Sequence, residues 1–345
     1  MLSQEGFDAI VVVLINEQQT EIADGLALER VQEPAELREP IDGRQDEVEH
    51  GPYASAVPEL SVLLAVRDDE RYVREAVESI LRQTLRDLEL IVIDDASTDD
   101  TPRVLERVSD PRLRVLRNED RLGLAASLNR GLDEAQGRFV ARLDSDDVAL
   151  PHRLEQQVEA IEDKAVVGSA IRDLDEQGRR GRLHRMPVGA RALRWHALFS
   201  SPFFHPTVLV DRDALGDLRY DTSFEESEDY DLWTRLLATG AEGGNLPEAL
   251  VLKRVHAGQA SLHRSDVQRS FQRQVALREI ERVAPEIDSE AAWSFAIGRS
   301  GDAIAYRDLL AAFEAEHGVD PEVRRAAARR LARAGKVISA LSVLR

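Results

Sequence analysis

Between Leu60 and Leu143 the chain alternates short apolar runs with helical patterns, and this restricts the folds open to it more than any other feature. Leu60 to Val66 reads as a strand, Glu70 to Gln83 as a helix, Leu88 to Ile93 as a strand and Thr101 to Val108 as a helix. Leu113 to Leu116, Gly123 to Ala135 and Phe139 to Leu143 continue the series as strand, helix and strand. The periods support these assignments. Val73, Ala76, Val77, Ile80 and Leu81 follow i, i+3, i+4, i+7, i+8 spacing, which makes an apolar helical stripe. Thr101-Pro102 is a cap followed by a first-turn proline. Strand-helix alternation at this spacing predicts an α/β fold, a mostly parallel sheet with helices on both faces.

Further along, Pro151 to Glu162 reads as a helix, and after Val166-Val167 the chain is arginine-rich and irregular to about Pro187. Arg191 to Phe199 resumes a helix, Thr207 to Val210 is a short strand, Asp229 to Ala238 a helix and Leu246 to Val255 a last extended segment. Beyond Ser265 the pattern is helical to the end. Three regions follow: an acidic extension or linker over 1–58, an α/β domain over 59–262 and a helical C-terminal subdomain over 263–345. The extension has one short apolar run, Phe7 to Ile15, and about 13 Asp and Glu against 3 Arg, so it reads as a solvated leader or as a docking arm.

Composition removes several classes of function. A formal net charge of −19 is unsuited to neutralising phosphate backbones, so nucleic acid is discounted as a partner. With no cysteine, disulfides, zinc thiolate sites and thiol nucleophiles are excluded, and any metal is left to oxygen and imidazole ligands. No apolar run approaches the roughly 20 residues that span a bilayer, and no leader pattern is present. The expectation is a soluble cytoplasmic protein, with peripheral contact at the inner face of the membrane left open.

Two apolar runs end on acids, Asp94-Asp95 and Asp144-Ser145-Asp146-Asp147, at the strand ends where open α/β sheets place their ligands. Asp144 and Asp146 are two apart, and in extended backbone side chains two apart point the same way, so they can share one hard divalent ion. Asp147 and Ser145 would then face away or cap the turn before Pro151. Taken alone, D-x-D is also an ordinary turn sequence. A third cluster, Glu228-Asp229-Tyr230-Asp231-Leu232-Trp233, opens a helix. There a carboxylate serves either as a base or simply as a favourable charge at a helix N-terminus, with Trp233 in the core. His256 and His205 read as ligand or pocket residues, or as structural histidines.

Ser61-Val62-Leu63-Leu64-Ala65-Val66-Arg67-Asp68-Asp69, then Ile93-Asp94-Asp95-Ala96-Ser97-Thr98-Asp99, then Leu143-Asp144-Ser145-Asp146-Asp147 recur in an order that resembles the family 2 inverting glycosyltransferases with the GT-A fold. The likeness runs from about Leu60 to about Ser261. The resemblance implies that Ala65, Val66 and Arg67 line a nucleotide, and that Asp94 or Asp95 accepts a hydrogen bond from uracil N3. It also implies that Asn118 and Gly123 close over base and ribose, and that Asp144 and Ser145 lie on the ribose side. Asp146, with Asp144 and His256, would hold Mn²⁺ or Mg²⁺. Asp229 would be the base that deprotonates the acceptor, flanked by Glu228, His205 and Trp233. The donor implied is a nucleotide sugar, best a UDP-sugar, and the acceptor a polysaccharide or lipid-linked glycan.

Two departures stand out. Arg67-Asp68 and Arg121 replace asparagines common in the family, and both arginines suit a diphosphate. The Q-x-x-R-W signature of processive members is missing, so a single sugar is expected per encounter, and the G-x-G-x-R loop of sugar-phosphate nucleotidyltransferases is absent. A non-catalytic binding or scaffold protein on the same fold is the rival reading.

Overall fold

The computed structural model describes residues 58–256, 265–299, 301–333 and 343. The chain divides into two units, Met1–Gly51 and Pro52–Arg345, and every described residue belongs to the second. The acidic extension, apart from Pro58, lies outside the described residues. So do Ala257 to Gln259 after His256 and most of the segment beyond Arg333.

The first half alternates as the periodicity predicts: β1 (Leu60–Val66), α1 (Val73–Leu81), β2 (Leu88–Asp94), α2 (Thr101–Glu106), β3 (Leu113–Arg117), α3 (Leu124–Glu134) and β4 (Phe139–Arg142). It continues through β5 (Val148–Ala149), α4 (Arg153–Ile161), β6 (Val166–Leu174), β7 (Arg180–His184), α5 (Ala190–Ala197) and a 3₁₀ turn (His205–Thr207). Then come β8 (Leu209–Asp211), α6 (Arg212–Leu215), α7 (Glu228–Ala238) and β9 (Gly243–Arg254). Four helices follow: α8 (Ser265–Val283), α9 (Ser289–Ala296), α10 (Ala303–His317) and α11 (Pro321–Arg333).

Among the described residues the strands form one sheet in the order β3-β2-β1-β4-β8-β6-β9-β5, with β7 on the side of β6. The ladders β3-β2-β1-β4 are parallel. β2 is buried at every position, as a strand covered on both faces must be. Beyond β4 the sheet becomes mixed, because β8 runs antiparallel to both β4 and β6. One face packs on α1, α2 and α4 through Val73, Val77, Ile80, Leu105 and Leu154. The other packs on α3, α5 and α7 through Leu128, Leu193, Trp233 and Leu236.

The stretch expected to be irregular after Val167 is instead a hairpin of β6 and β7, with a tight turn in which Asp175 accepts from Gln177 N and Arg179 N. Gly168 and Ser169 hide the strand in the sequence. Gly168 has no room for a side chain, since a Cβ there would lie 2.4 Å from Asn245 Oδ1, and Ser169 is fully buried, with its Oγ donating to the Ala170 carbonyl at 2.9 Å and its backbone N–H to Thr207 Oγ1 at 3.0 Å. The segment expected as a strand from Thr207 begins as a 3₁₀ turn, since Pro206 cannot donate to a ladder, and pairing starts only at Leu209.

The C-terminal helices share a core with the α/β region. Trp195 packs against Tyr306 and Phe313, and Phe199 against Tyr306, with ring centroids 5.2 to 5.9 Å apart. From α8, Arg278 reaches α7 and donates to Asp231 at 2.6 Å and to Thr234 Oγ1 at 2.8 Å. The helical tail thus buttresses the helix that carries Glu228 and Asp229. Leu309 on α10 is fully buried in this core. Leu309→Ala is expected to cost roughly 3 kcal/mol of unfolding free energy through lost burial and a residual cavity. A urea midpoint unchanged from wild type would contradict this packing.

Candidate active site

The C-terminal ends of β1 and β2 open on one side of the sheet, and a cavity of about 600 Å³ lies there. Ala65, Val66, Arg67, Asp95, Arg121 and Gly123 form part of its wall, with Phe224 and Glu228 across from them. Phe224 is backed by Phe271 of α8, with ring centroids 5.1 Å apart.

Of the paired aspartates after β2, Asp95 faces the cavity. Asp94 is buried behind it and accepts from Ser97 N at 2.9 Å. Asp95 Oδ1 accepts from Asn118 Nδ2 at 2.8 Å and Leu122 N at 2.7 Å, and Oδ2 accepts from Gly123 N at 2.9 Å. Burial alone would raise its pKa, but these donors outweigh burial and hold the carboxyl below its ordinary value. Gly123 has φ of 89°, a conformation glycine takes without strain, and this turns its N–H toward Asp95. Asn118 does not line the cavity; it clamps Asp95 from behind. Arg67 donates to the Asp95 carbonyl at 3.0 Å. Asp68 and Ala96 also have positive φ, at 49° and 54°, so backbone strain gathers at this rim.

β4 ends at Arg142, and Asp144 to Asp147 form a turn closed by Asp147 N donating to Asp144 O at 3.3 Å. The acidic residues therefore converge through a turn, where the sequence reading had invoked extended backbone. Carboxylate oxygens of Asp144, Asp146 and Asp147 lie within 4.8 Å of one another. His256 Nε2 is 3.0 Å from Asp146 Oδ2. Asp147 was expected to face away, and one oxygen does, accepting from Arg254 N at 2.9 Å. Its other oxygen is buried with no hydrogen-bond partner among the described residues. Burial first, then the neighbouring carboxylates, raises the pKa of Asp146 and pushes that of Asp147 well up. Ser145 donates to Asp69 at 2.7 Å, and burial pushes Asp69 up to about 6 despite that bond. Oxygen donors this close, mutually repelling and partly unsatisfied, are a set that fits a hard divalent cation.

α7 starts at Glu228 after Ser227, whose φ is 65°. Asp229 Oδ2 accepts from Ser201 Oγ at 3.0 Å. Burial pushes Glu228 up to about 8, with the Asp229 charge adding to it. Burial also raises Asp229, opposed by the Tyr230 N–H, Ser201 and Arg142. Both carboxyls of the pair are thus raised, and Glu228, at about 8, keeps its proton at neutral pH. His205 lies beside them, with Nδ1 3.9 Å from Glu228 Oε1 and Nε2 2.9 Å from Tyr220 Oη. Burial, then the charge on Arg142, holds its imidazole well below the usual value, so it is neutral. Trp233 is 1% exposed and packs edge-on against Phe203, His205 and Tyr220, which makes it the floor under His205.

A raised folded pKa means that Glu228 stabilises the fold only while protonated. That contribution is complete below pH about 4.5, its unfolded value, and is lost as pH rises towards about 8. Glu228→Gln should remove this slope and raise stability at pH 8 by roughly 1–3 kcal/mol. Parallel pH profiles of wild type and variant in chemical denaturation would contradict it.

The sequence reading did not single out Arg142, Ser201 or Tyr220. Arg142 is buried and ion-paired with Asp144. Burial alone would depress its pKa, but Asp144, Tyr220, Glu228 and Asp147 together hold it above the usual value. An arginine inside the apolar run Phe139 to Leu143, two residues before the acidic turn, is the signal the sequence offers, whereas Ser201 and Tyr220 offer none.

Residues 61–217 match the family model described as glycosyl transferase family 2. A putative glycosyltransferase of Bacillus subtilis, EpsE, is 37% identical over 204 residues, 56% of this chain and 72% of its own length. WfaP of Escherichia coli, named a UDP-Glc:alpha-D-GlcNAc-diphosphoundecaprenol beta-1,3-glucosyltransferase, is 29% identical over 210 residues, covering 59% of this chain and 80% of WfaP. Among solved structures, S. aureus TarS in complex with UDP-GlcNAc is similar in fold, with a TM-score of 0.51 at 19% identity over 83% of this chain and 90% of that one.

Proposed function

The chain belongs to glycosyl transferase family 2 and has the GT-A fold, and from that premise we propose that it is a metal-dependent, inverting, non-processive enzyme using a UDP-sugar. Glycosyl transfer itself follows from the family. The observation that carries the finer reading is a nucleotide-sized cavity walled by Ala65, Arg67 and Asp95 at the strand ends and by Glu228, the neighbour of Asp229.

In this reading the nucleotide lies against Ala65, Val66 and Arg67. Asp95 Oδ2, which accepts one hydrogen bond from the backbone, has capacity for one more from the N3–H of uracil. Arg67 and Arg121 face the diphosphate, for which the guanidinium fork is suited. Asp144, Asp146 and Asp147 would hold Mn²⁺ or Mg²⁺, with His256 as a neighbouring donor on Asp146. When bound, such an ion supplies charge neutralisation for a departing diphosphate. Asp229 takes the proton of the acceptor hydroxyl, and its bond to Ser201 fixes the carboxylate for that transfer. The protonated Glu228 beside it keeps a second negative charge away from the incoming oxygen.

WfaP acts, by its name, with UDP-glucose on a diphosphoundecaprenol-linked sugar, and this supports a UDP-sugar and a lipid-linked or polysaccharide acceptor here. No described helix is long and apolar enough to cross a membrane, so contact with such an acceptor would be peripheral. The test is a donor screen with UDP-, GDP-, dTDP- and CDP-sugars, reading nucleotide release and the anomeric configuration of the product by NMR. Release from UDP-sugars alone with inverted configuration is expected. Retained configuration, or long products from one acceptor, would overturn inversion or single transfer respectively.

A further inference from the structure

A second cavity, of about 380 Å³, lies between the β7–α5 connection, α5 and α11, away from the residues assigned to transfer. Arg185 enters it from the connection, and Arg329, Arg330 and Arg333 from one face of α11, since residues three and four apart share a helix face. The opposing charge on its wall is Glu322. His196, also on the wall, is pushed down to about 4 by burial and by Arg330, so it adds no charge at neutral pH. Four guanidinium groups against one carboxylate make this a concentrated positive spot in a chain of net charge −19.

Two arginines near this region are neutralised by carboxylates. Arg324, on the same helix, is held by both oxygens of Glu314 at 2.7 and 3.0 Å, and Arg278 by Asp231. Among the described residues, Arg185, Arg329 and Arg333 have no carboxylate partner in ion-pair range. Arg330 is fixed with its guanidinium 4.6 Å from the centre of the Phe199 ring. Cations at the end of a helix are favoured by its dipole, which accounts for Arg329 and Arg333 on α11. It does not account for Arg185, which comes from a different element and converges on the same space.

We infer that this cavity is a binding site for a phosphate- or diphosphate-bearing anion, held by Arg185, Arg329, Arg330 and Arg333. Arginine forks match phosphate oxygens two at a time, and a dianion would offset the excess charge. Trp195 lines the cavity on α5. The segment after α5 leads to Ser201, the partner of Asp229, so an occupant would press on the element next to the proposed base.

The test uses the full chain with EDTA present and inorganic pyrophosphate as probe, followed by calorimetry and by tryptophan fluorescence, to which Trp195 contributes. Asp146→Ala, which removes a carboxylate of the acidic turn, should bind pyrophosphate as wild type does. Arg329→Gln combined with Arg333→Gln should weaken binding about tenfold or more. Arg185→Gln, on an exposed connection, should weaken it independently, and melting curves confirm that each variant folds. Co-sedimentation with phosphatidylglycerol against phosphatidylcholine vesicles separates the sources. Pelleting with the former alone, abolished by the double variant, assigns a lipid headgroup. Pyrophosphate binding sensitive to the arginines without pelleting assigns a soluble phosphate compound. No binding of either probe, or binding that survives the arginine substitutions, overturns the site.

Discussion

Asp229→Asn is expected to lower the rate of sugar transfer by roughly 10³-fold or more, within the range that a positioned general base supplies. Asparagine has nearly the same shape and can still receive the Ser201 hydroxyl that Asp229 Oδ2 accepts at 3.0 Å, so the site should keep its geometry and lose only its capacity for a proton. Donor affinity should stay near wild type, because Asp229 is set back from the cavity wall that Arg67, Asp95 and Gly123 form. The pH profile gives a second readout. A base works when ionised, and since burial raises the Asp229 pKa, activity should fall on the acid side at a pH above the ordinary carboxylate range. Glu228→Gln should leave that acid limb in place. A normal turnover rate for Asp229→Asn would remove the residue from this role.

Asp146→Ala should abolish stabilisation by Mn²⁺ and reduce transfer by roughly 10²-fold or more. In wild type, a divalent ion at 100 times its dissociation constant would add about 2.7 kcal/mol to folding stability, because it binds the folded turn and not the unfolded chain. Removal of Asp146 takes away the middle carboxylate of the turn and the partner of His256. The thermal midpoint should therefore rise with Mn²⁺ in wild type and stay fixed in the variant. Equal upward shifts in both proteins would place the ion elsewhere.

The parts of the fold legible in the sequence were those where one physical demand governs every position. β1 and β2 are covered on both faces, so they read as apolar runs broken inside only at Ser61 and Glu89, which hydrogen-bond each other at 2.7 Å, and α1 buries the same five residues that its stripe marks. β6 escaped because Gly168 and Ser169 interrupt its apolar run, and the neighbour that excludes a side chain at Gly168, Asn245, comes from another element. Buried cations escaped for the same reason. Arg153 stands in a helix that reads as polar, yet it is fully buried, with Nη2 donating to the Arg142 carbonyl at 2.7 Å and Nε to Gln157 at 2.9 Å. An arginine in a sequence looks like surface, and only the fold supplies the acceptors that allow its burial.

The candidate site divides along the same line. Carboxylates at strand ends were visible because their positions follow from the sheet. Which of Asp94 and Asp95 faces the cavity was not visible, since it depends on Asn118 and the Gly123 turn arriving from 23 and 28 residues away. The protonation partner of Asp229 was likewise hidden, because the pKa of about 8 at Glu228 arises from burial.

The most direct measurement is a calorimetric titration of UDP, GDP, dTDP and CDP into the full chain, with and without Mn²⁺, repeated with Asp95→Ala. The account predicts that UDP binds, that Mn²⁺ strengthens it, and that Asp95→Ala weakens it. Absence of binding by every nucleotide in the presence of Mn²⁺ would contradict a nucleotide-sugar site at the ends of β1 and β2.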